Sequence, residues 1–154
     1  MTLDQYKEYA YNFTQGKEQW KYLPKEDVYG FVDALFVEWT LRGFRIEKAI
    51  MKHIKDKTSL EVRQATPEED MNFSIDLILS MSGKDIAAVQ VKPISYRNNI
   101  MQGKHLWQHK SDTEKNVKYG KPVFWVYYSM NSDKKTFNIV NRDDFYQFLN
   151  IKQS

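Results

Sequence analysis

At 154 residues the chain is one domain by length, and 15% aromatic with 28% charged residues fits a soluble globular protein with an aromatic-rich core. It has no cysteine, which excludes a disulfide framework, a cysteine nucleophile and any thiolate metal site, and fits a reducing cytoplasm. The net charge of +3 is unevenly placed: residues 1–91 sum to −3, residues 92–121 to +5 and residues 122–154 to +1, so the basic excess lies in one segment able to face an anion.

Taken in chain order, residues 3–13 read as a short Tyr-rich helix. Residues 25–42 read as a stronger one, because Val28, Phe31, Val32, Leu35, Phe36 and Trp39 follow three- and four-residue steps. Gly43 is expected to interrupt it. A second helix is expected from Ile46 to Lys57, with Ile46, Ile50 and Ile54 on one face. The period then changes to two, and Leu60 to Ala65 reads as a strand. Thr66-Pro67-Glu68-Glu69 has the residues of a capping box with proline at the first helical position, which predicts a single helical turn.

Ile75 to Leu79 reads as an apolar strand carrying one charge, Asp76. A turn over residues 80–85 leads to a returning strand from Ile86 to Lys92, ended by Pro93. Residues 98–118 read as one partly buried helix, with Ile100, Met101, Leu106, Trp107 and Val117 as its apolar positions. Pro122 opens a strand over residues 123–128, Thr136 to Val140 alternates as another, and Asp143 to Asn150 reads as a last helix capped near Asn141. The order predicts an α/β fold, a three-layer α/β/α sandwich around a mixed sheet. No apolar run approaches a bilayer span, and the first residues lack the pattern of a secretory signal. A soluble cytoplasmic protein is expected, with no membrane partner.

The chemistry concentrates on the hairpin. A carboxylate in an apolar strand must be paired, metal-bound or open to a cleft. Alternation puts Ala88, Gln90 and Lys92 on one face of the returning strand and Ala87, Val89 and Val91 on the other. One patch of sheet then holds a carboxylate, an amide oxygen and an ammonium. Asp76, the Gln90 side-chain oxygen and the Val91 carbonyl are hard oxygen donors suited to Mg²⁺, with Mn²⁺ as a substitute. Lys92 is placed to orient a water or to stabilise phosphate charge.

These residues, Ile75-Asp76-Leu77-Ile78-Leu79 followed by Ile86-Ala87-Ala88-Val89-Gln90-Val91-Lys92-Pro93, resemble the core of the PD-(D/E)xK nuclease superfamily, which includes many restriction endonucleases and the archaeal Holliday-junction resolvases. Asp76 matches the first acid, and Gln90-Val91-Lys92 matches the second element with Gln in place of Asp or Glu, a variant some members tolerate. The resemblance covers about residues 46–130 in topology. It implies a restriction endonuclease-like core over residues 46–150, preceded by a helical extension over residues 1–45, all in one nuclease domain. It also implies a Glu from the first core helix: Glu47 occupies the usual place, and Glu38 is its rival. Asp70 is a further carboxylate candidate. Because the helix after the Lys strand commonly lies near the active site, Gln102, His105 and His109 are implied as contacts to DNA, together with Lys104 and Lys110. His105 and His109 stand four apart, but no third ligand for zinc accompanies them.

The resemblance implies a metal-dependent endodeoxyribonuclease, restriction-type rather than a junction resolvase, with DNA as substrate and a homodimer suited to two-fold targets. Two readings compete. One is a nuclease-fold nucleic-acid-binding module that has lost cleavage, motivated by Gln90. The other is an interaction domain in which Asp76 and Lys92 form a structural ion pair.

Overall fold

The computed structural model describes residues 2–153, which form two compact units, one running through Arg45 and the other beginning at Ile46. In the first, helix α1 (Leu3–Gln15) opens with a capping box between Thr2 and Gln5 and buries no residue. Lys7 pairs with Asp33 at 2.8 Å, tying α1 to the early turns of α2 (Lys25–Lys57). A groove there is lined by Tyr6, Phe13, Phe31, Val32, Phe36 and Trp39 among other residues.

The break expected at Gly43 does not occur, and α2 is one helix of 33 residues. A glycine inside a helix costs only about 1 kcal/mol relative to alanine. Leu41, Arg42 and Arg45 beside it are good helix formers, and Arg42 donates to Glu38 across one turn at 3.1 Å.

The second unit is built on a five-stranded sheet in the order β1-β2-β3-β4-β5, made of β1 (Glu61–Gln64), β2 (Leu77–Met81), β3 (Lys84–Pro93), β4 (Val123–Met130) and β5 (Phe137–Ile139). The pairs β1–β2, β2–β3 and β4–β5 are antiparallel and β3–β4 is parallel, so the sheet is mixed as expected. The β2–β3 hairpin closes through Ser82 and Gly83, both at positive φ (53° and 78°), the backbone that a tight two-residue hairpin turn needs and that glycine adopts without penalty.

Strand alternation divides the side chains between two faces. On one, Ile46, Ile50 and Ile54 of α2 and Phe145 and Leu149 of α6 (Arg142–Gln153) pack onto Val62, Leu77, Leu79, Ala87, Val89 and Val126. On the other, only Ile75, Ile78 and Ala88 form a buried apolar cluster, covered by Phe73 and Tyr119. Those two residues end α3 (Pro67–Phe73) and α5 (Leu106–Tyr119). Helices on both faces of a mixed sheet make the expected layered α/β/α architecture.

Several local expectations need correction. The capping box at Thr66 and Glu69 is present, but the helix it starts runs seven residues rather than one turn. The helix expected over residues 98–118 is two: α4 (Ile94–Met101) and α5, separated where Gly103 and His105 take positive φ. Of the apolar positions assigned to its buried side only Ile100 is partly buried; Met101, Leu106, Trp107 and Val117 are 77%, 52%, 73% and 75% exposed. The buried residue of α5 is Asp112. Asn141 does not cap α6 with its side chain. Its amide instead clips β4, accepting from Tyr127 N–H at 3.0 Å and donating to the Trp125 carbonyl at 2.7 Å.

Candidate active site

Asp76 lies one residue before β2, yet the ladder still holds it. Its N–H donates to the Val89 carbonyl at 2.9 Å and its carbonyl accepts from Ala65 N–H at 2.8 Å. Continuing the Leu77–Val89 register places Asp76 opposite Gln90. The carboxylate reaches across, and Oδ2 accepts the Val91 N–H at 2.7 Å. The hairpin therefore gathers Asp76, Gln90, Val91 and Lys92 at the end where β2 opens, through backbone register alone.

Gln90 is 3% exposed, and its amide is only half satisfied. Nε2 donates to Ser74 Oγ at 2.7 Å, whereas Oε1 is buried with no hydrogen-bond partner. Ser74 is the left-handed C-cap of α3, at φ 54°, and its carbonyl and that of Phe73 both accept from Asn116 Nδ2 on α5. Ser74 Oγ donates to Asp112 Oδ1 at 2.7 Å. Asp112 also accepts from Tyr96 Oη at 2.7 Å and from Gln108 Nε2 at 3.1 Å. Burial opposes the Asp112 charge, but the hydrogen bonds from Ser74, Tyr96 and Gln108 and the Lys92 charge more than offset it, holding the carboxyl below its ordinary value. A chain of hydrogen bonds thus runs from strand β3 through a helix cap to the interior side of α5.

Around this centre the acids are crowded. Glu47, on the part of α2 that packs on the sheet, accepts from Gln64 Nε2 at 3.3 Å. Burial pushes its carboxyl up to about 7, with Asp76 and Asp70 adding and Gln64 opposing. Burial likewise pushes Asp76 up to about 6; the Val91 N–H and Lys92 oppose the rise, and Asp70 and Asp112 add to it. Asp70 is also raised by desolvation, against Lys92 and Lys115 and with Asp112. Asp76, Glu47 and Asp70 are thus near enough to feel one another's charge. Glu38 lies in the first unit, where its carboxylate pairs with Arg42.

Lys92 forms no ion pair with Asp76. Its ammonium lies over the Tyr96 ring, 5.0 Å from the centroid, and its charge favours ionised Asp70, Asp76 and Asp112. In parallel register with Gln90 and Lys92 stand Trp125 and Tyr127 of β4. His109 packs edge-on to Trp125 at 5.4 Å and near Tyr96 at 6.2 Å, half-buried, so it belongs to this aromatic cluster. His105, the left-handed N-cap of α5, is exposed and does not continue the helical face of His109. Gln102, Lys104 and Lys110 are exposed around the α4–α5 corner.

A divalent cation is tested by its donors. Among the described residues, no three His, Asp or Glu side chains gather into a cation site. A cation would therefore rest on Asp76 with amide and backbone oxygens and water. A buried oxygen that accepts nothing costs about 1–3 kcal/mol, and a cation removes that cost. The unpartnered Gln90 Oε1 is such an oxygen, so the donor set fits a hard cation that keeps much of its water shell.

Sequence reasoning missed Ser74, Tyr96, Gln108, Asp112 and Gln64. A signal existed: Gln108, Asp112 and Asn116 recur every four residues on α5, a polar stripe that the structure turns inward. The family model described as MjaI restriction endonuclease matches residues 2–150. No curated protein and no solved structure gives a significant match.

Proposed function

The chain belongs to the MjaI restriction endonuclease family and is a nuclease; from that premise we propose that it is a restriction-type endodeoxyribonuclease, dependent on Mg²⁺ or Mn²⁺, with its active centre at Asp76, Gln90, Val91, Lys92 and Glu47. The observation that carries this reading is the buried, unpartnered Gln90 Oε1 in register with the Asp76 carboxylate.

Asp76, Gln90 Oε1 and the Val91 carbonyl would hold the cation, which when bound supplies a Lewis acid for the scissile phosphate and an activated water. Lys92 brings a positive charge to the same face and is free to donate to a phosphate oxygen or to the attacking water. Glu47, raised to about 7, can share protons with water near neutral pH. The hydrolysis adds water across one P–O bond and leaves a phosphate and a hydroxyl. Lys104, Lys110, Gln102 and His105, exposed around one corner, would contact DNA, with His109 supporting the aromatic cluster behind them. Asp70 would act through its charge on Asp76. Glu38, engaged with Arg42, has no part in this reading. A two-fold DNA target would be met by a homodimer in the cytoplasm.

One observation favours the binding-module reading: Gln90 is neutral where an acid would help hold a cation. Cleavage of plasmid carrying varied sequence, with Mg²⁺, Mn²⁺ or EDTA, separates the two. Metal-dependent cutting is expected, with Asp76→Ala and Lys92→Ala each losing about 100-fold or more. Salt-sensitive DNA binding without cutting under any metal would select the binding module.

A further inference from the structure

A glutamine amide has two ends of nearly equal shape and opposite chemistry: the oxygen accepts hydrogen bonds and binds cations, and the NH₂ donates and repels them. Whether Gln90 can hold a cation depends on which end faces outward. The strand fixes where the side chain lies, not which way the amide is turned.

The turn is decided two hydrogen bonds away. Asp112 is 2% exposed, and as a carboxylate it only accepts. Its Oδ1 takes the Ser74 hydroxyl proton at 2.7 Å. A serine hydroxyl has one proton, so Ser74 Oγ, having donated to Asp112, can only accept from its other neighbour. At 2.7 Å that neighbour must be the Gln90 NH₂, because an amide oxygen there would set lone pair against lone pair. Oε1 is left facing away from Ser74, buried and unpartnered. The relay cannot shift to escape the constraint. Ser74 is held by its bond to the Asp70 carbonyl and by Asn116, while Tyr96 and Gln108 hold Asp112.

We propose that Asp112 is a positioning residue that acts through Ser74 to lock the Gln90 amide with its oxygen turned away from Ser74, so that a neutral side chain serves as a directed cation ligand. The inference rests on the nuclease reading for its purpose, but the orientation it asserts exists without metal. In Asp112→Asn a carboxamide can donate to Ser74, the hydroxyl is released to donate to Gln90, and the amide is free to turn its NH₂ outward.

Gln90→Glu makes the test decisive, because a carboxylate offers the cation an oxygen whichever way it is turned; its inner oxygen competes with Asp112 for the Ser74 hydroxyl proton, a conflict that Asp112→Asn relieves rather than creates. Mn²⁺ binding, measured by calorimetry, is expected to weaken about 10- to 100-fold in Asp112→Asn. In the Gln90→Glu background the same change should cost less than about threefold, since the direct influence of the Asp112 charge is common to both halves of the cycle. Ser74→Ala should repeat the pattern and guards against an Asp112 variant that folds poorly. Equal losses in both backgrounds, or no loss in either, would overturn the proposal. Metal-free NMR reads the orientation itself: the Gln90 NH₂ protons should show contacts to the Ser74 β-protons in wild type and lose them in Asp112→Asn. Wild type lacking those contacts would also overturn it. Wild type that shows them, yet neither binds Mn²⁺ nor cuts DNA, would leave the orientation standing and remove the nuclease reading.

Discussion

The two faces of the sheet are built from the same strands by different means. On the α2/α6 face, aliphatic and aromatic side chains from six elements interlock in a hydrocarbon core. On the α3/α5 face, only three apolar residues are fully buried, beneath Phe73 and Tyr119, and beside them Ser74, Gln90, Tyr96, Asp112 and Asn116 are joined in hydrogen bonds of 2.7–3.1 Å. The first kind of packing is tolerant of which apolar group fills a space. The second requires every partner, since each buried polar group left alone is costly. Stability on one face and chemical placement on the other are therefore separable, and mutations should separate them.

The largest expected effect is on the apolar face. Phe145→Ala, at a fully buried position stacked on Phe124, should cost about 3–5 kcal/mol in urea unfolding. If the protein retains its fold under native conditions, the cation site should be unaltered. Next comes Asp112→Ala, which strands Ser74, Tyr96 and Gln108 and should cost about 1–3 kcal/mol. Removing the network together, as Ser74→Ala, Tyr96→Phe and Asp112→Leu, should recover part of that loss while leaving metal binding and cleavage impaired. Recovery of cleavage in the triple variant would erase the distinction between the faces.

A smaller effect runs through pH. Folding raises the Glu47 carboxyl to about 7 and the Asp76 carboxyl to about 6, both mainly by burial. The folded chain therefore holds protons that the unfolded chain has already released. This contribution to stability is full below about pH 4 and is lost as pH rises through 6 and 7. Glu47→Gln and Asp76→Asn should each stabilise the protein at pH 8 by roughly 1 kcal/mol, after discounting for solvent screening, and a thermal melt series against pH checks it. Cleavage needs ionised Asp76 and should rise over the same window. The smallest effect is expected at Trp107→Ser, on the exposed side of α5, within about 0.5 kcal/mol in the same urea assay.

What could be read from the chain follows the same division. The β2–β3 hairpin was legible because strand period two sorts Leu77, Leu79, Ala87 and Val89 from Gln90 and Lys92 with no knowledge of the fold. The register that sets Asp76 against Gln90 was not legible: the turn expected over residues 80–85 is Ser82 and Gly83 alone, which by itself would set Asp76 against Val89, and a bulge at Ile86 shifts the pairing by one residue. Glu47 was legible only as one of two acids, because its approach to Asp76 depends on how α2 lies on β1. Asp112 was not legible as a site residue. In a basic segment it looks like a solvated acid, and its bond to Ser74 spans 38 positions with no periodicity to mark it. The apolar residues of α5 pointed the wrong way, since Leu106, Trp107 and Val117 face solvent. Gly43 misled for a simpler reason: one glycine is a small cost spread over a 33-residue helix.

Asn116 has one more partner: its Oδ1 accepts the indole N–H of Trp125 at 2.7 Å, while its Nδ2 holds the two carbonyls that fix Ser74. The other tryptophans, Trp20, Trp39 and Trp107, are 41%, 55% and 73% exposed. Trp125 alone is half-buried, wired to the relay and packed, tilted or edge-on, among Tyr96, His109 and Tyr127. Changes at the centre are therefore expected to register in the fluorescence of Trp125, an optical gauge that needs no label.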